Sequence, residues 1–498
     1  MIQGRYKMLA KKRRKKSRVP GLTITTALFF LIMEFTILLA VVNIVPTYFL
    51  AAIAVVFLGV DLIVYLFTDN VGKKLFFVMG SVIALLLASV LLMGNLYVFK
   101  TYNTLKEISG VNTKTSQIGI YVRTEDKAQT IADAKKYVFG VLDNLDTDNT
   151  EQAVSQINQE IETEITVKRL PGVTQLVDGL RNQECDAIIL NHAYFPVLEE
   201  MEGYENISSE IREIDVKKVE VVIEETVVDG ISKLQDKNVV QIYVSGIDTR
   251  GNEIINTRSD VNIIVTANIK TRQILMVSTP RDYYVPLSIS GGVPDKLTHA
   301  GIYGTDVSMD TLSMLYDTDI NNYFKVNFAG FVKIIDALGG ITINSDYDFE
   351  SGNVKGYHFN KGSNQVDGKQ ALVFARERYA FEEGDRQRGK NQMAVIEGVI
   401  KKALSPELLS NYTGILSAVG DCFETNISYD RIAELVRDVL QSGTNWNIVS
   451  YSVDGEGAVK KPYSMSASAY VMVPDQATVD QAKELMQQVI DGAVISQP

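Results

Sequence analysis

Three long runs of apolar residues open the chain, at 22–45, 48–67 and 75–99. Each is close to the ~20 residues that a helix needs to cross the hydrocarbon layer of a membrane. The first run is long, lacks a clear small-residue cleavage site and is followed at once by further runs, which is atypical of a signal peptide. The pattern therefore predicts three transmembrane helices within 21–100 that are retained as an anchor.

Basic residues around these runs predict the orientation of the anchor. The segment KKRRKKSR at 11–18 precedes the first run, and Lys73 and Lys74 separate the second run from the third. Cytoplasmic segments next to membrane helices carry an excess of Lys and Arg. We therefore expect a multi-pass protein of the cell membrane, with a cytoplasmic basic tail at 1–20 and a large extracellular carboxy-terminal region.

Beyond the anchor, short apolar runs alternate with polar stretches whose apolar residues have helical spacing. From about 110 to 230 the apolar runs include IGIYV and DAIIL. From about 237, VVQIYVSGID, VNIIVTANI and QILMVSTP have the composition of buried strands, and FAGFVKIIDALGG and GKNQMAVIEGVIKKAL that of amphipathic helices. This alternation predicts an α/β ectodomain, with a small accessory α/β domain at 110–230 and a second domain at 237–498.

The charge is divided unevenly between these parts. Residues 1–100 contain twelve basic and three acidic side chains, giving +9, so the remainder carries −20 of the total of −11. An acidic ectodomain is poorly suited to sequence-independent binding of nucleic acid, which relies on a broad excess of Lys and Arg. We expect no nucleic-acid partner, and any anion site must be local. Cys185 and Cys422 cannot form a disulfide framework, and two free thiols are favoured over one bridge.

Acids and arginines gather where the predicted strands of the second domain end. They are Asp248 in SGIDTRG, Arg258 and Asp260 in TRSDVN, and Arg281 in TPRDYYVPL. Loops at strand ends are where α/β folds place their sites. Mg²⁺ that is bound together with phosphates needs only one or two carboxylates. Asp248 and Asp260 are therefore the predicted Mg²⁺ ligands.

A second group lies in ALVFARERYAFEEGDRQRGKNQ. Arg376 and Arg378 are two apart in a predicted extended run and would project from one face beside apolar side chains. Asp385 is placed to cap a following helix, on which Arg388 and Gln392 would share a face. Bidentate arginines bind pyrophosphate oxygens better than lysines do, so the group indicates a site for an amphiphilic anion.

Simpler explanations apply to each of these residues taken singly. One Asp or Arg is more often part of an ordinary surface salt bridge, and the clustering is what favours a site. Lys296 and His299, in KLTHAG, are candidate helpers, although an isolated histidine is more often structural.

Six segments together resemble the LytR-CpsA-Psr family, in the family's order, across roughly 245–392: SGIDTRG, RSDVNIIVTAN, STPRDYYV, KLTHAGIYG, FAGFVKIIDALGG and FARERYAFEEGDRQRGKNQ. The resemblance implies an α-β-α sandwich with a central mixed sheet. It also implies a phosphotransferase that moves a glycopolymer from undecaprenyl pyrophosphate to peptidoglycan through a phosphodiester bond. The three-span anchor and the accessory domain resemble the capsule-associated streptococcal members, which implies capsular polysaccharide as the polymer and other capsule-assembly proteins as partners.

The resemblance also implies roles for individual residues. Asp248 and Asp260 match the family's Mg²⁺-associated aspartates, and Asp385 matches one of its site acids. Together with Arg281 these acids form the expected catalytic set. The residues that match the family's RSD element and its pyrophosphate-binding positions are Arg258, Arg281, Arg376, Arg378, Arg388 and Gln392.

Two other functions use the same residues. One is a regulator or scaffold of capsule synthesis that binds polyprenyl phosphates without turning them over, and the other is a hydrolase with water as the acceptor. Paired carboxylates beside the arginines favour catalysis over simple lipid binding, whereas transfer and hydrolysis cannot be separated by residue type.

Overall fold

The computed structural model describes residues 19–43, 45, 47–69, 74–109, 113–222, 236, 238–247, 254–405, 423–442 and 445–497. Within these ranges the chain divides into two compact units. One is Met1–Asn103 with Asp430–Ser442, and the other is Thr104–Tyr429 with Gly443–Pro498. The basic tail at 11–18, Lys73 and the predicted boundary near 237 lie outside the described residues.

The first unit contains the three predicted anchor helices, α1 (Val19–Val42), α2 (Thr47–Thr68) and α3 (Lys74–Ile108). Their spans Gly21–Val42, Thr47–Thr68 and Lys74–Lys100 are long and apolar enough to cross a membrane. The helices begin and end within a few residues of the apolar runs, except that α3 continues well past the third run, into polar sequence.

The second unit begins with a mixed five-stranded sheet in the order β3-β2-β4-β1-β5. Strand β1 is antiparallel to β4 and β5, and β2 is parallel to β3 and β4. The elements of this region, called the accessory domain below, are β1 (Thr113–Arg123), β2 (Val138–Leu142), α4 (Thr147–Glu160), β3 (Thr166–Leu170), α5 (Val173–Arg181), β4 (Ala187–Asn191), a 3₁₀ turn (His192–Tyr194), α6 (Phe195–Leu198), α7 (Ile207–Glu210) and β5 (Ile211–Val222).

A mixed six-stranded sheet in the order β16-β11-β6-β7-β8-β17 forms the centre of the second α/β region. The segments that carry the family resemblance lie in this region, so it is called the catalytic domain below, after the function that the resemblance implies. The first elements of this domain, in chain order, are β6 (Val239–Ile247), β7 (Ser259–Asn268), β8 (Gln273–Ser278), β9 (Tyr284–Pro286), β10 (Pro294–Lys296), α8 (Leu297–Tyr303), α9 (Thr305–Tyr316), β11 (Asn322–Asn327), α10 (Phe328–Ala337), β12 (Ile341–Ser345), β13 (Phe349–Glu350), β14 (His358–Phe359), β15 (Gly362–Val366) and α11 (Gly368–Arg376). The remaining elements are α12 (Asp385–Ala403), β16 (Phe423–Thr425), α13 (Tyr429–Ser442), β17 (Asn447–Ser452), β18 (Gly455–Lys460), β19 (Ala469–Pro474) and α14 (Gln476–Ile490). Of these, α13 belongs to the first unit from Asp430 onward.

Alternating side chains of β7 pack against helices on the two faces of this sheet. Ile264 belongs to a buried cluster with Leu312 of α9 and Val479 of α14. Its neighbour Ile263 belongs to a cluster with Met393 of α12 on the opposite face. This is the expected consequence of the two-residue period of a strand. The result is the predicted α-β-α sandwich around a mixed sheet.

The prediction of an extended run through Arg376 was wrong. Residues 368–376 form helix α11, and the chain becomes extended at Glu377. The helix begins in a capping box, in which Asp367 accepts from the main-chain N–H of Gln370 (2.8 Å) and the Gln370 side chain accepts from that of Asp367 (3.0 Å). The box satisfies two main-chain donors at the start of the helix. The short apolar stretch that follows fits either a strand or a helix by its pattern alone, and the box favours the helix.

Candidate functional site

Two neighbouring cavities share one wall of charged and polar side chains. The larger, here the apolar cleft, has a volume of about 600 Å³ and lies between the sheet strands β6, β7 and β11 and the helices α10, α11 and α12. The smaller, here the polar cavity, has a volume of about 340 Å³. The residues that line both, here called the anion site, are Asp260, Arg281, Arg378, Arg388 and Gln392.

Two members of the anion site come from the sheet. Asp260 is the second residue of β7, and Arg281 follows β8. The Arg281 guanidinium donates to Asp260 Oδ1 (3.0 Å), and its Nε lies 3.4 Å from Asp282 and 3.7 Å from Asp385. Burial lowers the pKa of Arg281, but these three carboxylates outweigh burial and raise it above its usual value. The buried Nε makes no hydrogen bond among the described residues, although two carboxylates lie within 3.7 Å of it.

The start of α12 supplies two further members of the anion site, Arg388 and Gln392, and also Asp385, which lines the polar cavity. The prediction that Asp385 caps this helix was wrong: the cap residue is Gly384, and Asp385 is the first residue of the helix. Its carboxylate accepts from the Arg388 guanidinium (3.2 Å) and lies 3.9 Å from that of Arg378. Gln392 follows one turn after Arg388 on the same face and lines both cavities. The positive end of the helix adds to the local attraction for anions.

Arg258 and Arg376 line only the apolar cleft. The Arg376 guanidinium stacks on Phe328, 4.5 Å from the centre of the ring, and Arg378 stacks on Tyr379 at 4.7 Å. Cationic groups packed on aromatic rings combine charge with apolar surface, as an amphiphilic anion requires. The structure therefore brings all the predicted arginines to one region, although α11 and not a strand presents Arg376.

The two candidate helpers are placed differently from each other. Lys296 is buried and pairs with Glu200 (3.0 Å) and Asp282 (3.4 Å) next to the anion site. His299 is fully buried, and its Nδ1 contacts Asp295 (2.7 Å) and Ser464 (2.8 Å). His299 is not one of the described residues that line the two cavities. Its contacts are those of a structural histidine.

Sequence reasoning missed two acids at the site. Asp282 follows Arg281 directly, and its charge was visible in TPRDYYVPL. Glu200 belongs to the accessory domain yet lines the apolar cleft and pairs with Arg258. Because 58 residues separate Glu200 from Arg258, no local pattern in the sequence could have linked them.

Asp248 lies outside the described residues. The last described residue before it, Ile247, pairs with Ser259, the neighbour of Asp260. Within the described ranges no group of three or more His, Cys, Asp or Glu side chains is arranged to hold a metal ion.

These features define a class of protein: an α/β protein with three helices able to span a membrane and an arginine-rich anion site beside an apolar cleft. A family model matches residues 198–488, and the chain belongs to the LytR_cpsA_psr family. It is an enzyme of the phosphotransferase class, as predicted.

Curated relatives support the assignment. The chain is 37% identical over 207 residues to the polyisoprenyl-teichoic acid–peptidoglycan teichoic acid transferase TagU of Enterococcus faecalis, covering 41% of this chain and 67% of that one. It is 33% identical over 254 residues to the protein of the same name from Bacillus cereus (strain ATCC 14579), covering 51% and 80%. Among solved structures, that of Bacillus subtilis TagV is 25% identical, with a TM-score of 0.43, and covers 52% of this chain and 99% of that one.

Proposed function

We propose that this protein transfers a glycopolymer from a polyprenyl pyrophosphate to peptidoglycan, with a phosphodiester as the new link. The observation that carries the proposal is the position of the anion site, which forms a wall of both cavities. A lipid pyrophosphate has an apolar chain on one side of its phosphates and a polar sugar chain on the other. The apolar cleft fits the lipid, and the polar cavity fits the polymer and its acceptor.

The arginines account for binding and for stabilisation of charge. Arg281, Arg378 and Arg388 converge on Asp385 within 3.2 to 3.9 Å, so three positive groups share one carboxylate. Guanidinium groups that converge in this way suit a pyrophosphate, whose oxygens would accept from the guanidinium forks. Fixed donors of this kind also stabilise the negative charge that develops on phosphoryl oxygens during transfer.

The proposed step is attack by a peptidoglycan sugar hydroxyl on the phosphorus next to the polymer. A new O–P bond forms, the bond to the bridging oxygen breaks, and polyprenyl phosphate leaves with the electron pair. The proposed base for the hydroxyl proton is Asp385, a proposal supported by its place in the lining of the polar cavity and by its exposure of one third.

Mg²⁺ is the proposed cofactor, with Asp260 and Asp248 as its protein ligands. The Asp260 carboxylate is 20% exposed and lines both cavities, where a phosphate would meet it. One or two carboxylates with phosphate oxygens are a ligand set that Mg²⁺ favours, so the residues present fit the ion. Bound there, Mg²⁺ would neutralise charge on the transferring phosphoryl group.

Three features support a multi-pass membrane protein with an extracellular site: the three apolar helices, the basic residues before the first of them and the lipid substrate.

The polymer we propose is capsular polysaccharide, because the three-helix anchor and the accessory domain resemble those of capsule-associated members. The relatives compared above are named for teichoic acid. In a strain that lacks this protein, loss of wall-bound capsule would support the proposal, whereas loss of wall teichoic acid alone would contradict it.

The biochemical test measures the conversion of a defined polyprenyl pyrophosphate by the full-length protein in detergent, with and without Mg²⁺. We expect Mg²⁺-dependent release of polyprenyl monophosphate by the native protein. Arg281→Ala and Asp248→Ala should each lower kcat/KM by about 100-fold or more, as loss of a charge-stabilising group does. Arg272→Ala, which removes an arginine that neither cavity includes among the described residues, is the matched control.

The outcomes separate the three candidate functions. Transfer of phosphate-linked polymer to added peptidoglycan supports the proposal. Release of monophosphate that is unaffected by any acceptor identifies a hydrolase. Tight binding without turnover under every condition identifies a lipid-binding regulator and contradicts the catalytic proposal.

A further inference from the structure

The accessory domain is docked on the catalytic domain through a shared buried core. Leu198 and Met201 of the accessory domain lie in one apolar cluster with Leu287, Ile302 and Val307 of the catalytic domain. All five side chains are at most 6% exposed. Apolar contacts of this extent hold two domains in a fixed relation.

Polar contacts fix the register of the same interface. Lys114 pairs with Asp306 (2.9 Å), and Thr174 donates to Ser466 (2.7 Å). The main-chain N–H of Asn256, two residues before Arg258, donates to the carbonyl of Thr115 in β1 (2.8 Å). The segment that carries Arg258 is therefore bound to the accessory domain by its backbone as well as by its side chain.

Glu200 connects the interface between the two domains with the side chains of the site. Its carboxylate pairs with the Arg258 guanidinium and, through Oε2, with the ammonium group of Lys296 (3.0 Å). Arg258 also lies 3.5 Å from the carbonyl oxygen of Pro196 in the accessory domain. Lys296 is 6% exposed and continues the network to Asp282 (3.4 Å), which in turn lies 3.4 Å from Arg281 Nε.

We propose that Glu200 is a positioning residue of the phosphate-binding site, through which the accessory domain holds Arg258 and Lys296 in place. Arg258 lines the apolar cleft, and its geometry then depends on a carboxylate from another domain. This gives the accessory domain a function: it completes the site. The inference rests on the proposed function for the identity of the ligand only.

The carboxylate is ionised throughout the physiological range. Burial raises the pKa of Glu200, but Arg258 and Lys296 outweigh burial and bring it to about 2. Glu200→Gln therefore removes one full negative charge while keeping the shape of the side chain. If Glu200 affected only the net charge of the site, this change would tighten anion binding, because a negative group would be lost. If Glu200 positions Arg258, the change should weaken binding.

The first experiment measures binding of polyprenyl pyrophosphate to the full-length protein in EDTA, where turnover is not required. We expect Glu200→Gln to raise Kd by about tenfold, the size of effect typical of coupled ion-pair networks. Glu199→Gln removes the same charge from an adjacent exposed side chain that accepts from Ser208 (2.6 Å), and it should bind like the native protein. In an Arg258→Gln background, Glu200→Gln should have a clearly smaller effect than in the native background, because only the contact with Lys296 remains to be lost.

A second measurement needs no ligand. Hydrogen exchange across 254–262 should be several-fold faster in Glu200→Gln than in Glu199→Gln, because the side chain that anchors this segment is lost. Glu200→Asp, which keeps the charge, should lie closer to the native protein in both measurements and replaces the amide variant if that variant does not fold.

Two results would overturn the inference: tighter or unchanged binding in Glu200→Gln, or effects that add fully to those of Arg258→Gln. Native protein that binds the lipid without turning it over would contradict the proposed transfer but leave this inference in place. If the native protein binds no lipid pyrophosphate, the proposed ligand is wrong, and unchanged exchange across 254–262 in Glu200→Gln would then refute the positioning role of Glu200.

Discussion

Asp146 is a half-buried acid just before α4 in the accessory domain. Its two carboxylate oxygens accept from the side-chain amides of Asn149 (2.5 Å) and Asn191 (2.8 Å). Burial raises the pKa of Asp146 to about 6, although both amides and the charge of Lys114 act to lower it. The residue is therefore kept partly protonated at mildly acidic pH.

This shift predicts the pH dependence of stability. Because the pKa in the folded state exceeds the ordinary value of 3.8, the folded protein binds more protons than the unfolded chain between pH 3.8 and about 6. The contribution of Asp146 is therefore most favourable below pH 3.8 and is lost as the pH rises to about 6. Asp146→Asn should remove this pH dependence, because the amide does not titrate, and urea unfolding across this pH range measures it. Asp143→Asn, at an exposed position, should leave stability unchanged, and a native pH profile in Asp146→Asn would refute the assignment.

Among the secondary-structure elements, α11 presents Arg376 to the apolar cleft and depends on its first turn. We expect Asp367→Ala to destabilise the protein by about 1 kcal/mol, because the capping box loses the acceptor for the Gln370 N–H. Asp367→Asn keeps an acceptor and should cost much less. Chemical denaturation of the two variants measures the difference, and equal stabilities would show that the cap contributes nothing.

The same element shows what the sequence could and could not predict. The capping signal of Asp367 and Gln370 was present in the sequence, and reading it would have replaced the extended run with a helix. Strand β7 and helix α12 were predicted because a buried strand and an amphipathic helix have distinct periods. Arg281 and Arg388 were singled out from residue type and spacing, whereas the ion pair of Glu200 with Arg258 depends on how two domains dock.

On the scale of the whole molecule, the shared core predicts that the accessory and catalytic domains unfold together. Leu287 belongs to the catalytic domain, is 1% exposed and packs in the cluster that contains Leu176 and Leu190 of the accessory domain. Leu287→Ala should cost about 2 to 4 kcal/mol, since it leaves a cavity between the two domains. Hydrogen exchange should then accelerate in β4 as well as in β9, although β4 itself is unchanged.

Leu312→Ala is the matched control, because Leu312 is fully buried in the cluster between the six-stranded sheet and α14. A similar loss of stability is expected there, with exchange faster chiefly in the catalytic domain. If Leu287→Ala left β4 fully protected, the accessory domain would be an independent folding unit. Glu200 would then belong to a domain that can fold alone and detach from the catalytic domain. The position of the Arg258 side chain would in that case depend on the fraction of molecules in which the two domains are docked, and not on the stability of the catalytic domain.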